Sequence, residues 1–333
     1  HPSNPQNTNK NKTHIKLHIA KTTPNPLTPK TRHQEEQHPV WITYLARQIA
    51  GAAWTSARCL TLATRNRHDT HPIPTLTPHT PVAISLTTHG RRLHKVHYTI
   101  ESLAHSGVPI ILWLDKKDYD APRPTPLKRL AQRGLDIRCS DGTYGPHTKY
   151  WGTFRHVQGT NTSIVTVDDD MLYPTWFLPR LLERAAHTNN NSNPRDVITA
   201  YRAHRIHTHN GTLQPYVRWT AVNTTTPSIL NFATGVSGVH YPPTFINYVV
   251  NQGAQFMQLS PHADDVWLHR CALRSNHTIQ QVDPTPHHFN IIPTTQLGAL
   301  VLHNTFGGGN DAQIAQVYEP QDIARLVAED QRS

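Results

Sequence analysis

The sequence predicts an α/β domain with a mainly parallel central sheet and helices on both faces. Three observations point there. Short apolar runs alternate with helix-like stretches from residue 82 to about 204. Each of the first four runs ends in polar or charged residues. The first 80 residues differ in composition and take no part in the alternation. Such alternation sets strands side by side and parallel, with the connecting helices covering both faces.

Residues 1–39 are rich in Asn, Thr, Pro, Lys and His and lack apolar periodicity. They are expected to form a disordered basic tail. Residues 1–80 hold 10 Lys/Arg against 3 Asp/Glu, a balance of +7. The chain as a whole carries +10, so the remainder is close to neutral. That distribution, without a zinc-finger, RRM or heptad pattern, argues against a nucleic-acid partner. Residues 40–67 read as an amphipathic helix, with Trp41, Leu45, Ile49 and Ala52 at helical spacing. It either lies on an anionic membrane surface or docks on the domain. Arg47 and Arg58 interrupt its apolar run, which falls short of the roughly 20 residues a spanning helix needs. Residues 68–81 read as a Pro-rich linker.

The domain proper is expected over 82–333. "VAISLTT" (82–88), "PIILWLD" (109–115), "LDIRCSD" (135–141) and "SIVTVD" (163–168) are the strands. Leu93, Val96, Ile100 and Leu103 mark one face of the first connecting helix. Helix-like sequence follows at 125–133, and "PTWFLPRLLERAA" reads as a helix with Pro in its first turn. "VITAYRAH" (197–204) adds a fifth strand. A donor half is expected over about 82–204 and an acceptor half over about 205–318, built on the same sheet. Cys59, Cys139 and Cys271 are far apart, with no CxxC, which fits a reducing, cytoplasmic setting. The 25 histidines read mostly as compositional bias.

In an open α/β sheet ligands bind beyond the carboxyl ends of the strands. Thr87, Thr88, Arg91 and Arg92 follow the first strand, Asp115 the second, Asp141 the third, and Asp168, Asp169 and Asp170 the fourth. Three adjacent carboxylates repel unless a cation compensates them, and Mg²⁺ and Mn²⁺ favour carboxylate oxygens. In an extended segment Asp168 and Asp170 share a side while Asp169 points away. Asp264 and Asp265 open a second helix-like run, "DDVWLHRCAL". They serve either as helix N-terminal acids or as acceptor-side acid–base groups.

In combination, "SIVTVDDDMLYP", "VAISLTTHGRRLHKVHYTIESL", "YGPHTKYWGTF", "ATGVSGVHYPP", "PHADDVWLHRCAL" and "NTFGGGND" resemble the GT-A glycosyltransferases with a DxD motif. The similarity is to bacterial transferases that build capsular and cell-wall polysaccharides, and it covers about 82–315. It implies a GT-A, Rossmann-like fold and transfer of a sugar, in hexosyl and inverting fashion, from a nucleotide diphosphate sugar (UDP favoured) to a hydroxyl of a glycan or lipid-linked acceptor.

Carried over by position, the resemblance implies Asp168 and Asp170 as ligands of Mn²⁺ or Mg²⁺, with His303 completing the shell. It implies Thr87, Thr88, Arg91, Arg92, Asp115, Asp141, Lys149, Asp168 and Asp169 on the donor nucleotide. Asp265, or alternatively Asp264, becomes the catalytic base. Gly235, Gly238, Trp267, Asn304 and Asp311 are expected at the sugar pocket or acceptor. Plain alternatives stand beside several of these: a surface lysine at 149, a glycine turn at 235–238, a helix cap at 264–265. An enzyme of this kind, without a spanning helix, is expected in the cytoplasm, peripheral on the inner face of the membrane. Two other classes fit the pattern less well. A Mg²⁺-dependent nucleotidyltransferase or phosphohydrolase also clusters aspartates, but no GxxxxGK[ST] loop is present. A non-catalytic basic binding protein leaves the triplet unexplained.

Overall fold

The computed structural model describes residues 40–187, 197–293, 295 and 309–333. The expected tail at 1–39, and His303 and Asn304, lie outside them. Residues Ala46–Ser333 form one compact unit. Of the other unit, His1–Leu45, the described residues are only the start of helix α1 (Val40–His68).

The unit is built on a mixed sheet. Strand β1 (Val82–Thr87) leads through α2 (Val96–Leu103) to β2 (Ile110–Leu114). Two helices, α3 (Lys116–Asp120) and α4 (Thr125–Gln132), lead on to β3 (Asp136–Cys139). Helix α5 (Thr148–Val157) then crosses back to β4 (Ser163–Thr166). A two-residue strand β5 (Met171–Leu172) and α6 (Phe177–Ala186) precede β6 (Val197–Ala200). Strands β7 (Ala203–Arg205), β8 (Thr208–His209), β9 (Thr212–Leu213), β10 (Thr220–Ala221) and β11 (Asn231–Ala233) make small peripheral pairings. The chain returns with β12 (Val239–Tyr241), α7 (Pro243–Asn251), α8 (Phe256–Leu259), α9 (Asp264–Arg274) and β13 (Thr278–Gln281). It closes with β14 (Asn290–Ile291), α10 (Gly309–Val317) and α11 (Pro320–Asp330).

The main sheet has the order β13-β6-β12-β4-β1-β2-β3. Every neighbouring pair in it is parallel except those of β12, which runs against both β4 and β6. The expected α/β class with a mainly parallel sheet is therefore observed. The chain winds outward from β1 to β3 on one side and continues with β4 on the other. That reversal opens a crevice at the carboxyl ends of β1 and β4, where open sheets bind ligands.

Alternation along β1 explains the two-sided core. Val82, Ile84 and Leu86 face one layer with α2, α4 and α6, while Ala83 faces the other with α5, α7 and α9. Burying each such aliphatic side chain stabilises the fold by roughly 1.5–3 kcal/mol. A third cluster sits where β11 and the outer face of α9 meet α10 and α11, around Phe232, Val266 and Ile314.

Four details differ from the sequence expectation. The 197–204 run is not one strand: it breaks at Tyr201–Arg202, where β6 leaves the main sheet and β7 enters a three-stranded antiparallel one. Helix α6 starts at Phe177 rather than at Pro174, with Pro179 in its first turn, where a missing N–H leaves no bond unmade. The Asp triplet is not extended, because Asp169 and Asp170 lie in a turn. The Pro-rich stretch 68–81 is packed rather than free. Ile73 is buried and its amide donates to the Arg133 carbonyl, and Arg133 ties Asp69 and Glu101 together at 3.2 and 2.7 Å.

The carboxyl-terminal part of α1 docks in the same way. Leu62 is buried against Leu172 and Ile292, and Asn66 donates to Glu101 at 2.9 Å. Its other faces leave Trp54 and Leu60 exposed. No described helix is long and apolar enough to cross a membrane.

Candidate active site

The turn after β4 is held at each aspartate. The Asp168 amide donates to the Tyr173 hydroxyl, the Thr99 hydroxyl donates to the Asp169 carbonyl, and the Ile292 amide donates to the Asp170 carbonyl. The side chains then part. Asp169 accepts from the Thr88 hydroxyl at 2.5 Å and from Arg92 at 2.8 Å. Arg92 also lies 3.6 Å from Asp170. Asp168 lies 3.6 Å from the Lys149 ammonium, and among the neighbouring acids Asp170 acts on it most. Asp169 and Asp170 both meet Arg92, so the turn does not set Asp168 and Asp170 apart from Asp169 as an extended segment would.

Lys149 joins the two acidic segments. It sits in the first turn of α5, 2.9 Å from Asp264 in the first turn of α9. The two helix starts converge because the turns before them dock. His147 is sealed from solvent, and its Nε2 lies 2.7 Å from the Ser260 carbonyl. A carbonyl only accepts, so Nε2 carries the proton and Nδ1 accepts from the Tyr150 hydroxyl at 2.8 Å. Helix dipoles favour acids at these ends and disfavour a cation, so a buried lysine there needs carboxylate partners. Burial disfavours the Lys149 ammonium, but Asp264 and Asp168 outweigh it and hold the pKa above the ordinary lysine value.

Gly235 explains the loop between β11 and β12. A Cβ there would stand 2.7 Å from the Lys149 nitrogen and 3.7 Å from Asp264. The sequence expectation for Gly235 thus meets the cluster. Gly238 has φ +101, and a Cβ would strike the Phe177 ring, so its role is in the backbone and core. Between them Ser237 adopts φ 73, a region non-glycine residues seldom enter.

The remaining expected residues scatter. Asp265 lies beside Asp264, its Oδ1 accepting from the Val266 amide at 2.9 Å. Burial, then the Asp264 charge, pushes its pKa up to about 7. Thr87 ties β1 to β2 by donating to the Trp113 carbonyl. Arg91 is exposed. Asp115 stands at the end of β2 with a buried Oδ1 that has no partner among the described residues, and burial raises its pKa. Asp141 pairs at the surface with Arg155. Asp311 accepts from the Tyr216 amide and anchors the start of α10. Trp267 is wholly buried against Phe256 and Arg270, inside the core rather than at a cleft surface.

The site's charge bears on the expected metal. Asp168, Asp169, Asp170, Asp264 and Asp265 meet two cations, Lys149 and Arg92. Burial raises Asp168 to about 6 and raises Asp170 as well, and the neighbouring acids add to both. A divalent ion fits this excess, and carboxylate oxygens are the donors Mg²⁺ and Mn²⁺ take. Among the described residues no group of three His, Cys, Asp or Glu can hold a metal alone. Asp168 and Asp170 would hold it, with ligand oxygens completing the shell.

Arg202 was not singled out from sequence. It follows β6, which runs parallel to β4, so it belongs to the same rim. The strand-end rule finds it once the strand is seen to stop at Ala200.

A comparison of the sequence with family models and with curated proteins finds no match. Solved structures give distant likenesses. A mannosyltransferase from Pyrobaculum calidifontis, in complex with GDP-Man and Mn²⁺, is 12% identical over 85% of this chain and 79% of its own, with a TM-score of 0.43. TarS of S. aureus is 11% identical over 75% and 70%, TM-score 0.41. The 4-diphosphocytidyl-2C-methyl-D-erythritol synthase of Anaerococcus prevotii is 12% identical over 70% and 96%, TM-score 0.42. Likenesses of this size assign no activity.

Proposed function

We propose that the chain is a metal-dependent glycosyltransferase, moving a sugar from a nucleotide diphosphate sugar to an acceptor hydroxyl. The observation that carries this reading is Lys149, 3.6 Å from Asp168 and 2.9 Å from Asp264. One cation joins an acidic turn at the β1/β4 crevice to an acid pair 96 residues further along the chain. The resemblance of "SIVTVDDDMLYP" to the DxD region agrees with it.

Asp168 and Asp170 would hold the divalent ion, which would supply neutralising charge to the diphosphate leaving group. Arg92 sits at the same turn with Arg91 exposed beside it, and guanidinium groups suit phosphate oxygens. Asp265, poised near neutral pH, takes the proton of the acceptor hydroxyl as its oxygen bonds the anomeric carbon and the bond to the diphosphate breaks. Lys149 fixes the distance between donor and acceptor groups and opposes the rise that burial imposes on the Asp168 pKa. Single displacement of this kind inverts the anomeric centre. UDP as the nucleotide, a hexosyl donor, a glycan or lipid-linked acceptor and a role in cell-surface polysaccharide synthesis follow from the sequence resemblance. Contact of α1 with an anionic membrane, through exposed Trp54 and Leu60, fits a lipid-linked acceptor.

A screen of UDP-sugars with Mn²⁺, reading released nucleotide, tests the proposal. Turnover that disappears in Asp170→Ala supports it. Absence of turnover with every donor, or full activity in the variant, sinks it.

A further inference from the structure

Beyond the acid pair, at the carboxyl end of β6, lies a basic group without a counterion. The Arg202 guanidinium donates from Nη1 to the Thr234 hydroxyl at 3.1 Å. Among the described residues no carboxylate comes within the 4.0 Å of an ion pair with it. None of its nitrogens is both sealed from solvent and unpartnered, so its free donors open outward.

Its surroundings are basic too. Burial, then Arg202, lowers His204 to about 4, and the same two causes lower His288. The His204 Nδ1 is buried with no partner among the described residues. Asp265 is the one carboxylate whose charge registers on Arg202, from beyond ion-pair distance. A half-buried guanidinium with solvent-open donors and no carboxylate at ion-pair distance among the described residues is able to take an oxyanion.

Position says which ligand completes it. Thr234, which holds Arg202, precedes Gly235, which lies against Lys149. Arg202 therefore borders the same site. It follows β6, which β12 separates from β4 and the Asp168–Asp170 turn, and the acid whose charge reaches it is Asp265 on the acceptor side. The planar fork of arginine matches the paired oxygens of phosphate or carboxylate.

We propose that Arg202 binds an oxyanion of the acceptor, a phosphate or a carboxylate, and so restricts the acceptor to an anionic molecule. This rests on the glycosyltransferase reading for the word acceptor, and on Arg202 and its neighbours alone for the anion.

Ligand-observed NMR on the full chain, without nucleotide or metal, compares glycerol 3-phosphate, glycerate and glycerol. Wild type is expected to bind at least one anion about tenfold more tightly than glycerol, the scale of a charge-assisted bidentate contact. Preference for glycerol 3-phosphate alone identifies a phosphate source, and preference for glycerate alone a carboxylate. Arg202→Gln should erase the preference and Arg202→Lys restore part of it. Because Arg202→Gln can misfold, wild type supplies a second reading: phenylglyoxal modification of Arg202, followed by peptide mass, should slow when the preferred anion is present. Equal binding of all three ligands, an unchanged preference in a folded Arg202→Gln, or no protection of Arg202 overturns the inference. Binding of UDP with Mn²⁺ is measured on the same sample. An anion preference without it removes the glycosyltransferase reading and leaves the anion site. Sugar transfer without an anion preference removes only the anion site.

Discussion

The Lys149 ammonium lies 2.9 Å from the Asp264 carboxylate, with both side chains nearly closed to solvent. Asp168 stands 3.6 Å from the same nitrogen. Replacing Lys149 by Met therefore strands buried Asp264 and leaves partly exposed Asp168 without its cation. The expected loss is about 3–5 kcal/mol, the range for removing one partner of a buried pair, read by urea unfolding, together with a lowered but measurable turnover. A variant as stable as wild type would show that the acids do not depend on the lysine.

Gly235→Ala acts on the same nitrogen from outside. The added methyl would stand 2.7 Å from Lys149 Nζ, the mobile end of a flexible chain, so the lysine must move. Stability should change by less than about 1 kcal/mol, in the range of surface substitutions and small shifts. Turnover should fall by about 100-fold, because an ångström of misplacement at a reacting site has that effect. Unchanged kcat would place Lys149 outside the reaction.

Asp169 and Asp170 should separate in experiment. Asp169 accepts from Thr88 and Arg92, so Asp169→Ala leaves a buried hydroxyl unpaired and Arg92 with only its longer contact to Asp170, and should lower stability by about 2–3 kcal/mol. The raised pKa of Asp170, from burial first and from Asp169, means that the fold disfavours its charge. Asp170→Asn should then leave the unfolding midpoint equal or higher while Mn²⁺-dependent UDP binding, by calorimetry, disappears. Retained binding would remove Asp170 from the metal.

Much of this site was legible because the rule behind it is topological. Alternating strands and helices located the rim, and charged residues at strand ends marked it at Thr88, Arg92 and Asp168–Asp170. The convergence of Lys149 with Asp264 was not legible, since it depends on His147 docking against Ser260, a contact with no local pattern. The acid pair two residues before it misled at Trp267, which lies between Val266 and Leu268 and is core. The break at Tyr201–Arg202 hid Arg202, because only two residues separate β6 from β7 and nothing local says they join different sheets. Compositional bias likewise concealed the buried histidines. His269, like His147, has both ring nitrogens engaged, Nε2 donating to the Ile229 carbonyl and Nδ1 accepting from the Tyr318 hydroxyl.

Those histidines set an acid limit on stability. Burial lowers His147 to about 4 against the opposing Asp264 charge, and burial lowers His269 to about 4 as well. Unfolded, each titrates near 6.5. Between those values the unfolded chain binds more protons, so stability rises with pH there. Their contribution is complete above about 6.5 and is lost as pH falls toward 4, on the order of 3 kcal/mol per ring. Urea unfolding from pH 7.5 down to 4.5 should show a steep loss that His269→Gln makes shallower. A flat profile would mean the rings are not held neutral.

The pH dependence of catalysis should run through Asp265. Burial and the Asp264 charge hold its pKa up to about 7, while Lys149 opposes them. A base must be deprotonated to act, so kcat/KM should rise with pH, about tenfold per unit below pH 7, and level above it. Removing the opposing cation with Lys149→Met should move the inflection upward, since a positive charge near a carboxylate lowers its pKa. Asp265→Asn should lose the inflection and about 10²- to 10⁴-fold in rate, the usual contribution of a positioned base. Asp264→Asn should instead lower the inflection, because it removes a neighbouring negative charge. If the inflection vanishes in Asp264→Asn and persists in Asp265→Asn, the two carboxylates exchange roles, and the proton goes to the residue that Lys149 touches.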